Sequence, residues 1–186
     1  MGFVLIGIFA GNTIALSGAF IQMVSHGIST GALFIIAGAL QERMDTREIS
    51  RMGGLWTSMP ALSGAGLFFV MGAVGLPGLG DFVGEFLVLL GAYRVNVSLT
   101  VIASLGIIAA TLYGLKVSSQ VFQGPNRHNW NLPDLFVREW VIFGCMMGCL
   151  FWLGLYPQSF IRTFQPVSES PAQRIALLPP EMNLGR

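Results

Sequence analysis

The chain has 186 residues, of which 53% are hydrophobic and 10% are charged, and its formal net charge is +1. Soluble proteins carry about 25% charged residues, so this composition, with a mean hydropathy of +0.68, indicates a polytopic membrane protein. The small net charge and the lack of a basic run exclude nucleic-acid binding.

Neither a metal site nor a cofactor-binding loop is indicated. Cys145 and Cys149 lie in one apolar run at a spacing that puts them on the same helix face, so we interpret them as packing residues. The glycines around position 78 do not follow a strand, which a dinucleotide-binding loop requires.

The first helical segments are predicted from apolar runs. Residues 1–10 are apolar, but a bilayer core of about 30 Å needs about 20 helical residues, so they form half a span. Residues 11–13 form a turn, and residues 16–40 form a full span with His26 near its midpoint.

A charged segment follows at residues 42–51, with three acidic residues and three arginines. It is predicted to be a solvated loop or an interfacial helix. One interpretation is a surface connector whose charge pairs have little energetic weight. The other is a docking segment for a neighbouring subunit.

The next apolar segment, residues 61–93, contains no basic residue. One continuous helix of that length would span about 50 Å, much more than a bilayer requires. Pro77 removes a backbone donor and clashes with the preceding turn. Three glycines, Gly75, Gly78 and Gly80, permit the dihedrals of an unwound stretch. We therefore predict a broken helix made of two half-helices.

Two carboxylates follow this break. Asp81 is placed to cap the second half-helix, and Glu85 lies about one turn inside it. A charge near the bilayer centre costs about 2.5–3.5 kcal/mol, so it persists where it lines an ion path or is paired. Unwound backbone at membrane depth is a recurrent device at transport sites. The alternative is a simple kink with Glu85 at the membrane interface.

Two further spans are predicted at residues 96–122 and 136–155. Lys116 lies about two turns before the end of the first of these. Either its stem reaches the headgroups or it is a buried protonatable group. The connection at residues 124–134 is rich in turn formers and contains His128, which we interpret as an exposed loop histidine.

The sequence thus predicts an all-α fold, a polytopic transmembrane helix bundle of about four full spans and an N-terminal half-span, with a broken third segment. Residues 1–162 form the transmembrane domain. Residues 163–186 contain several prolines and no sustained period, so they form an irregular tail. The two arginine-bearing loops are assigned to the same, cytoplasmic side.

A proton relay could be formed by three protonatable groups at membrane depth, which are His26, Glu85 and Lys116. Each can bind and release a proton, and waters can bridge the gaps between them. The same residue types also fit a static polar core, in which His26 bonds a neighbouring helix through Ser25 or Ser29. Together with the broken helix, they favour transport.

Four stretches of the sequence resemble the antiporter-like subunits of respiratory complex I, and most closely the family of NADH dehydrogenase subunit 4, also called chain M. The likeness is colinear and covers residues 1–162. The stretches are Gln22-Met23-Val24-Ser25-His26-Gly27, Glu42-Arg43 through Thr46-Arg47, Met52-Gly53-Gly54-Leu55-Trp56, and Gly75-Leu76-Pro77-Gly78 through Asp81-Phe82-Val83-Gly84-Glu85-Phe86.

The resemblance implies a bundle of two inverted helical units with protonatable residues along the membrane midplane. It implies that Glu85 is the glutamate on the broken helix of the second unit, at the outer half-channel, and that His26 is the histidine of the central axis. Lys116 matches no family site.

The resemblance also implies the function and its setting. The chain would be a non-catalytic, proton-translocating subunit in the membrane arm of an NADH-quinone oxidoreductase of a bacterial inner membrane. Its partners would be other membrane-arm subunits and lipid. NADH, quinone, FMN and iron-sulfur clusters would be held by other subunits.

The chain departs from the family pattern in length, because it lacks the first unit. We expect a fragment, a mis-started reading frame or one piece of a split subunit. Two other functions stay open. An Mrp-type cation/proton antiporter or membrane-bound hydrogenase subunit is disfavoured by glutamate rather than lysine on the broken helix. A non-conducting truncated scaffold is favoured by the missing unit.

Overall fold

The computed structural model describes residues 1–125, 130 and 132–168. This part of the chain is all-helical, with eight α-helices and one short 3-10 helix, Ile49–Arg51. The predicted loop histidine, His128, lies outside the described residues. The α-helices are α1 (Gly2–Ala10), α2 (Thr13–Met44), α3 (Leu55–Ser58), α4 (Pro60–Ala73), α5 (Gly80–Tyr93), α6 (Val97–Phe122), α7 (Val137–Leu155) and α8 (Pro157–Ser168).

Three of the described helices, α2, α6 and α7, are long and apolar enough to cross a membrane. The predicted third span is divided into α4 and α5, each 14 residues long, which is shorter than the about 20 residues that one span needs. The short α1 is the predicted half-span. The polytopic helix bundle with a broken third segment is therefore confirmed.

One end of the bundle is formed by two asparagine-capped turns. The Ala15 amide donates to Asn12 Oδ1 (2.9 Å) and starts α2, and the Leu99 amide donates to Asn96 Oδ1 (3.1 Å) and starts α6. Such caps satisfy amides that have no partner inside the helix. Asn12 Nδ2 also donates to Gly91 O (2.8 Å), which ties the start of α2 to the end of α5.

The opposite end is held together by Arg43 and Asp134. The Arg43 guanidinium donates to Pro133 O (2.9 Å) and to Glu139 Oε2 (2.7 Å). The Asp134 carboxylate accepts from the Ala61 and Leu62 amides (2.9 and 3.0 Å) and so caps α4, which has no side-chain cap of its own. The charged segment after α2 and the connection before α7 therefore meet at one end, as their arginines predict.

The bundle is organised around the contact between α2 and α5. At this crossing, a Cβ added to Gly18 would lie 2.6 Å from Val88 N, and one added to Gly91 would lie 2.6 Å from Ala15 N. Only glycine allows the two backbones to approach so closely, as at small-residue contacts between membrane helices. Polar side chains on the facing sides of α2 and α5 consequently pack close together.

The chain after α7 differs in part from the prediction. α7 ends at Leu155 as expected, but α8 begins at Pro157 and continues to Ser168. Proline is tolerated at the first position of a helix because its missing N–H is not needed there. The first residues of the tail predicted to be irregular are thus helical, and residues 169–186 lie outside the described residues.

Candidate functional site at the helix break

The site begins with the break between α4 and α5, which occupies residues 74–79. Gly75 and Gly78 have φ angles of 81° and 100°, a region that glycine adopts without steric cost. Some of the backbone N–H and C=O groups at the break form hydrogen bonds within it. The Leu76 amide donates to Met71 O (3.0 Å), and the Leu79 amide donates to Leu76 O (3.2 Å). The break is therefore a compact turn, in which Leu76 and Pro77 are exposed and Leu79 is buried.

Gly75 in the break and Gly80 directly after it make room for side chains. A Cβ on Gly75 would lie 2.8 Å from Glu85 Oε2, so the Glu85 carboxylate rests against the backbone of the break. Gly80 is the first residue of α5 and not part of the unwound stretch. A Cβ there would lie 2.9 Å from Ser25 Cβ and 2.9 Å from Leu153 Cβ, so Gly80 permits the approach of α2 and α7.

Asp81 does not have the capping role predicted for it. The helix begins two residues earlier than expected, with Leu79 at the N-cap position, and no side chain of the described residues makes a capping hydrogen bond. Asp81 is instead completely buried. Its two carboxylate oxygens have no hydrogen-bond partner among the described residues.

Glu85 lies on the same buried face of α5 and is 9% exposed. Its Oε1 is 3.5 Å from Gln22 Nε2, a long hydrogen bond across the contact between α2 and α5. Gln22 Oε1 is also buried and has no partner in the described structure. An amide can donate to an ionised carboxylate through its nitrogen or accept from a protonated one through its oxygen. Gln22 can thus form a hydrogen bond with Glu85 in either of its protonation states.

The polar side chains of α2 form a stripe opposite the two carboxylates. Gln22, Ser25 and Ser29 are buried, and His26 is half-buried. The hydroxyls of Ser25 and Ser29 lie beside Asp81, but they donate to Ile21 O (3.0 Å) and His26 O (3.3 Å), both backbone carbonyls of α2. Neither serine bonds the His26 ring.

The structure brings the predicted site residues together only in part. Glu85 and the break are in contact, and His26 is one helical turn from Gln22 on α2 without a direct hydrogen bond to Glu85. Lys116 is exposed on α6, whereas Gly114 and Ser118 face the bundle. Lys116 therefore stands on the outer side of α6, apart from the carboxylates.

Gln22 is a candidate site residue that sequence reasoning did not single out. A signal for it was present, because residues 22, 25, 26 and 29 have the spacing of one helix face. The spacing identifies a polar face on α2. It does not identify the helix that this face contacts.

Comparison with known proteins gives a family match. Residues 1–112 match the family model described as "NADH:quinone oxidoreductase/Mrp antiporter, TM". The chain is 44% identical over 158 residues to NADH-quinone oxidoreductase subunit M of Pseudomonas aeruginosa, covering 85% of this chain and 31% of that protein. It is 40% identical over 166 residues to the subunit M of Escherichia coli K12, covering 88% and 33%. The chain thus spans about a third of the length of these curated relatives.

Two solved structures share the fold. Respiratory complex I from Thermus thermophilus with bound NADH contains a chain that matches with a TM-score of 0.86 and 36% identity, over 91% of this chain and 36% of that one. The Mrp complex from Dietzia sp. DQ12-45-1b matches with a TM-score of 0.78, over 90% of this chain and 40% of that one. Its 18% identity supports a common fold only.

Proposed function

This chain belongs to the NADH:quinone oxidoreductase/Mrp antiporter transmembrane family, and we propose that it forms part of a proton path in the membrane arm of a respiratory NADH-quinone oxidoreductase. The relatives named NADH-quinone oxidoreductase subunit M support this assignment. The whole complex would drive translocation. This chain would supply one protonatable station of the path.

The observation that carries the proposal is Glu85, a buried carboxylate that rests against the break. A charge at this depth costs about 2.5–3.5 kcal/mol, so a carboxyl that can alternate between neutral and ionised forms suits the position. The Gln22 amide can bond either form. The unwound turn at residues 74–79 gives the site backbone groups that a continuous helix would hide.

His26 is proposed as the second station. It lies one turn from Gln22 along α2 and is half-buried. Imidazole binds and releases a proton near neutral pH more readily than other side chains. A short file of waters would bridge Glu85 and His26, while Gln22 holds the carboxyl in position. Lys116 has no place in this path because its side chain is on the outer face of α6.

The partners and cofactors follow from the same assignment. Many large apolar side chains of α6 are exposed, including Leu99, Leu105 and Leu112, which suits contact with lipid or with other membrane-arm subunits. The proposed location is a bacterial inner membrane. NADH, quinone, FMN and iron-sulfur clusters would be bound by other subunits, so this chain would translocate protons without carrying out the redox chemistry.

The test is Glu85→Gln in the assembled complex that contains this chain. Glutamine keeps the shape and the contact with Gln22 but cannot carry a proton. We expect proton pumping and coupled turnover in membrane vesicles to fall by about tenfold or more, while the complex still assembles. The matched control is Glu42→Gln, the same change at an exposed glutamate near the end of α2. Normal pumping by the Glu85 variant would refute the proposal.

The second candidate is an Mrp-type cation/proton antiporter subunit or the corresponding arm of a membrane-bound hydrogenase. The fold shared with the Mrp complex is the observation in its favour. Proton exchange that depends on sodium in vesicles, without NADH oxidation, would support it over the first. A non-conducting scaffold is the third, and it would be favoured by full assembly together with no effect of Glu85→Gln.

A further inference from the structure

Asp81 is the most unusual polar group in the described structure. It is 0% exposed, and both of its oxygens lack a hydrogen-bond partner within the part of the chain that the structure describes. No basic side chain balances it, since the ion pairs of the described residues are Arg43 with Glu139 and Arg51 with Glu48. Buried charges in proteins are normally paired or neutralised by a proton. An ionised Asp81 would have neither compensation here.

Asp81 and Glu85 lie next to each other on α5. Residues at i and i+4 of a helix have Cβ atoms about 5–6 Å apart on the same face, and both side chains face α2. Two carboxylates at this separation in a low-dielectric interior repel each other strongly. The pair is therefore expected to hold one proton, which makes its two members alternative positions for it.

The surroundings of Asp81 can accommodate both of its forms. The Ser25 and Ser29 hydroxyls lie beside it. Each hydroxyl donates to a backbone carbonyl of α2. By rotating its hydrogen away from that carbonyl it can donate to an ionised carboxylate, and its oxygen can accept from a protonated one. From α4, Gly72 also lies next to Asp81, since a Cβ there would be 3.9 Å from Asp81 Oδ2, at ordinary van der Waals distance.

We propose that Asp81 is a second proton-binding carboxyl that exchanges a proton with Glu85, and this inference rests on the proposed function. In the exchange the O–H bond of the Glu85 carboxyl breaks, and an O–H bond forms on Asp81. Glu85 becomes ionised and accepts a hydrogen bond from Gln22, while Asp81 becomes neutral. The charge of the pair is −1 before and after, so the transfer needs no other charge in the membrane.

The test compares Asp81→Asn with Glu85→Gln in the assembled complex. Asparagine keeps the shape of Asp81 and its contacts with Ser25 and Ser29 but cannot carry a proton. We expect pumping to fall by about fivefold or more and the infrared carbonyl band of one protonated carboxyl to disappear. Ser63→Ala is the matched control, because the Ser63 hydroxyl on α4 is also buried without a partner among the residues described, and this variant should pump normally.

The outcomes separate the two proposals. If Glu85→Gln abolishes pumping and Asp81→Asn pumps normally with an unchanged infrared spectrum, Asp81 is not a proton carrier and the proposed function still stands. If both variants pump normally, both proposals fail. If Asp81→Asn does not assemble, Asp81→Glu decides, because a longer carboxyl at the same site should shift the infrared band and restore partial pumping. An unshifted band would overturn the inference.

Discussion

Arg43 and Asp81 are both buried charged residues, and they differ in what surrounds them. The Arg43 side chain is 5% exposed, pairs with Glu139, donates to three backbone carbonyls and lies 5.4 Å from the centroid of the Phe136 ring. Asp81 has no hydrogen-bond partner in the described structure. The first charge has a fixed network that stabilises the end of the bundle. The second has no such network, and in our proposal it binds a proton inside the bundle.

The hydrogen bonds around a buried charge determine how easily that group can change its protonation state. A charge with all of its hydrogen bonds made cannot change its state without breaking them. A carboxyl with free oxygens and rotatable hydroxyls beside it can gain or lose a proton at small structural cost. Replacing Arg43 or Asp81 by an uncharged residue should therefore have opposite effects on the stability of the protein.

The largest effect on stability is expected for Arg43→Met. The change leaves the Glu139 carboxylate, 14% exposed, without its guanidinium and should lower the free energy of unfolding in detergent by about 3 kcal/mol. The double variant Arg43→Met with Glu139→Met should recover much of the loss, which a double-mutant cycle would measure. Arg51→Ala, in an exposed pair with Glu48, is the control and should change little. An equally small effect of Arg43→Met would show that the Arg43 network does not stabilise the end of the bundle.

An intermediate effect is expected for Gly75→Ala. The residue has φ of 81°, and the new Cβ would lie 2.8 Å from Glu85 Oε2. We expect a loss of about 1–3 kcal/mol of stability and reduced pumping, because the Glu85 carboxylate must move. Gly64→Ala is the matched control, since a Cβ on Gly64 of α4 meets nothing within 4 Å. Unchanged pumping would show that the position of Glu85 against the break is unimportant.

The smallest effect, and of opposite sign, is expected for the stability of Asp81→Asn. Removing a carboxylate that lacks partners should leave thermal stability unchanged or raise it by about 1 kcal/mol or less, although pumping falls. Thermal unfolding of the purified complex in detergent measures this. A loss as large as that of Arg43→Met would show that Asp81 is a structural residue after all.

Much of the fold could be predicted because it depends on local composition. The apolar runs predicted α2, α6 and α7 to within a few residues, and Pro77 with Gly75 and Gly78 predicted the break. The start of α5 was misplaced by two residues, since Leu79 rather than Asp81 precedes the first turn. That small error changed the interpretation of Asp81 from a cap to a buried carboxyl.

The candidate site was predictable only as far as Glu85. The long bond between Gln22 and Glu85 joins residues that are 63 positions apart, and periodicity along the chain does not reveal such a pairing. The partners of Arg43 could not be predicted either, because its charged segment fitted both a surface connector and a docking segment. The structure shows Arg43 bonded within the chain, while Arg51 and Glu48 pair at the surface.

Hydropathy, glycine and proline act within a few residues, so the sequence was enough to predict a membrane helix bundle with a broken segment and a carboxylate one turn after the break. Which polar helix faces contact each other became known from the packing of the helices. Gly18 and Gly91 let α2 and α5 approach at backbone distance, and this approach buries Asp81 against Ser25 and Ser29 and brings Gln22 to Glu85. Such contacts depend on how separate helices pack, which no local pattern specifies.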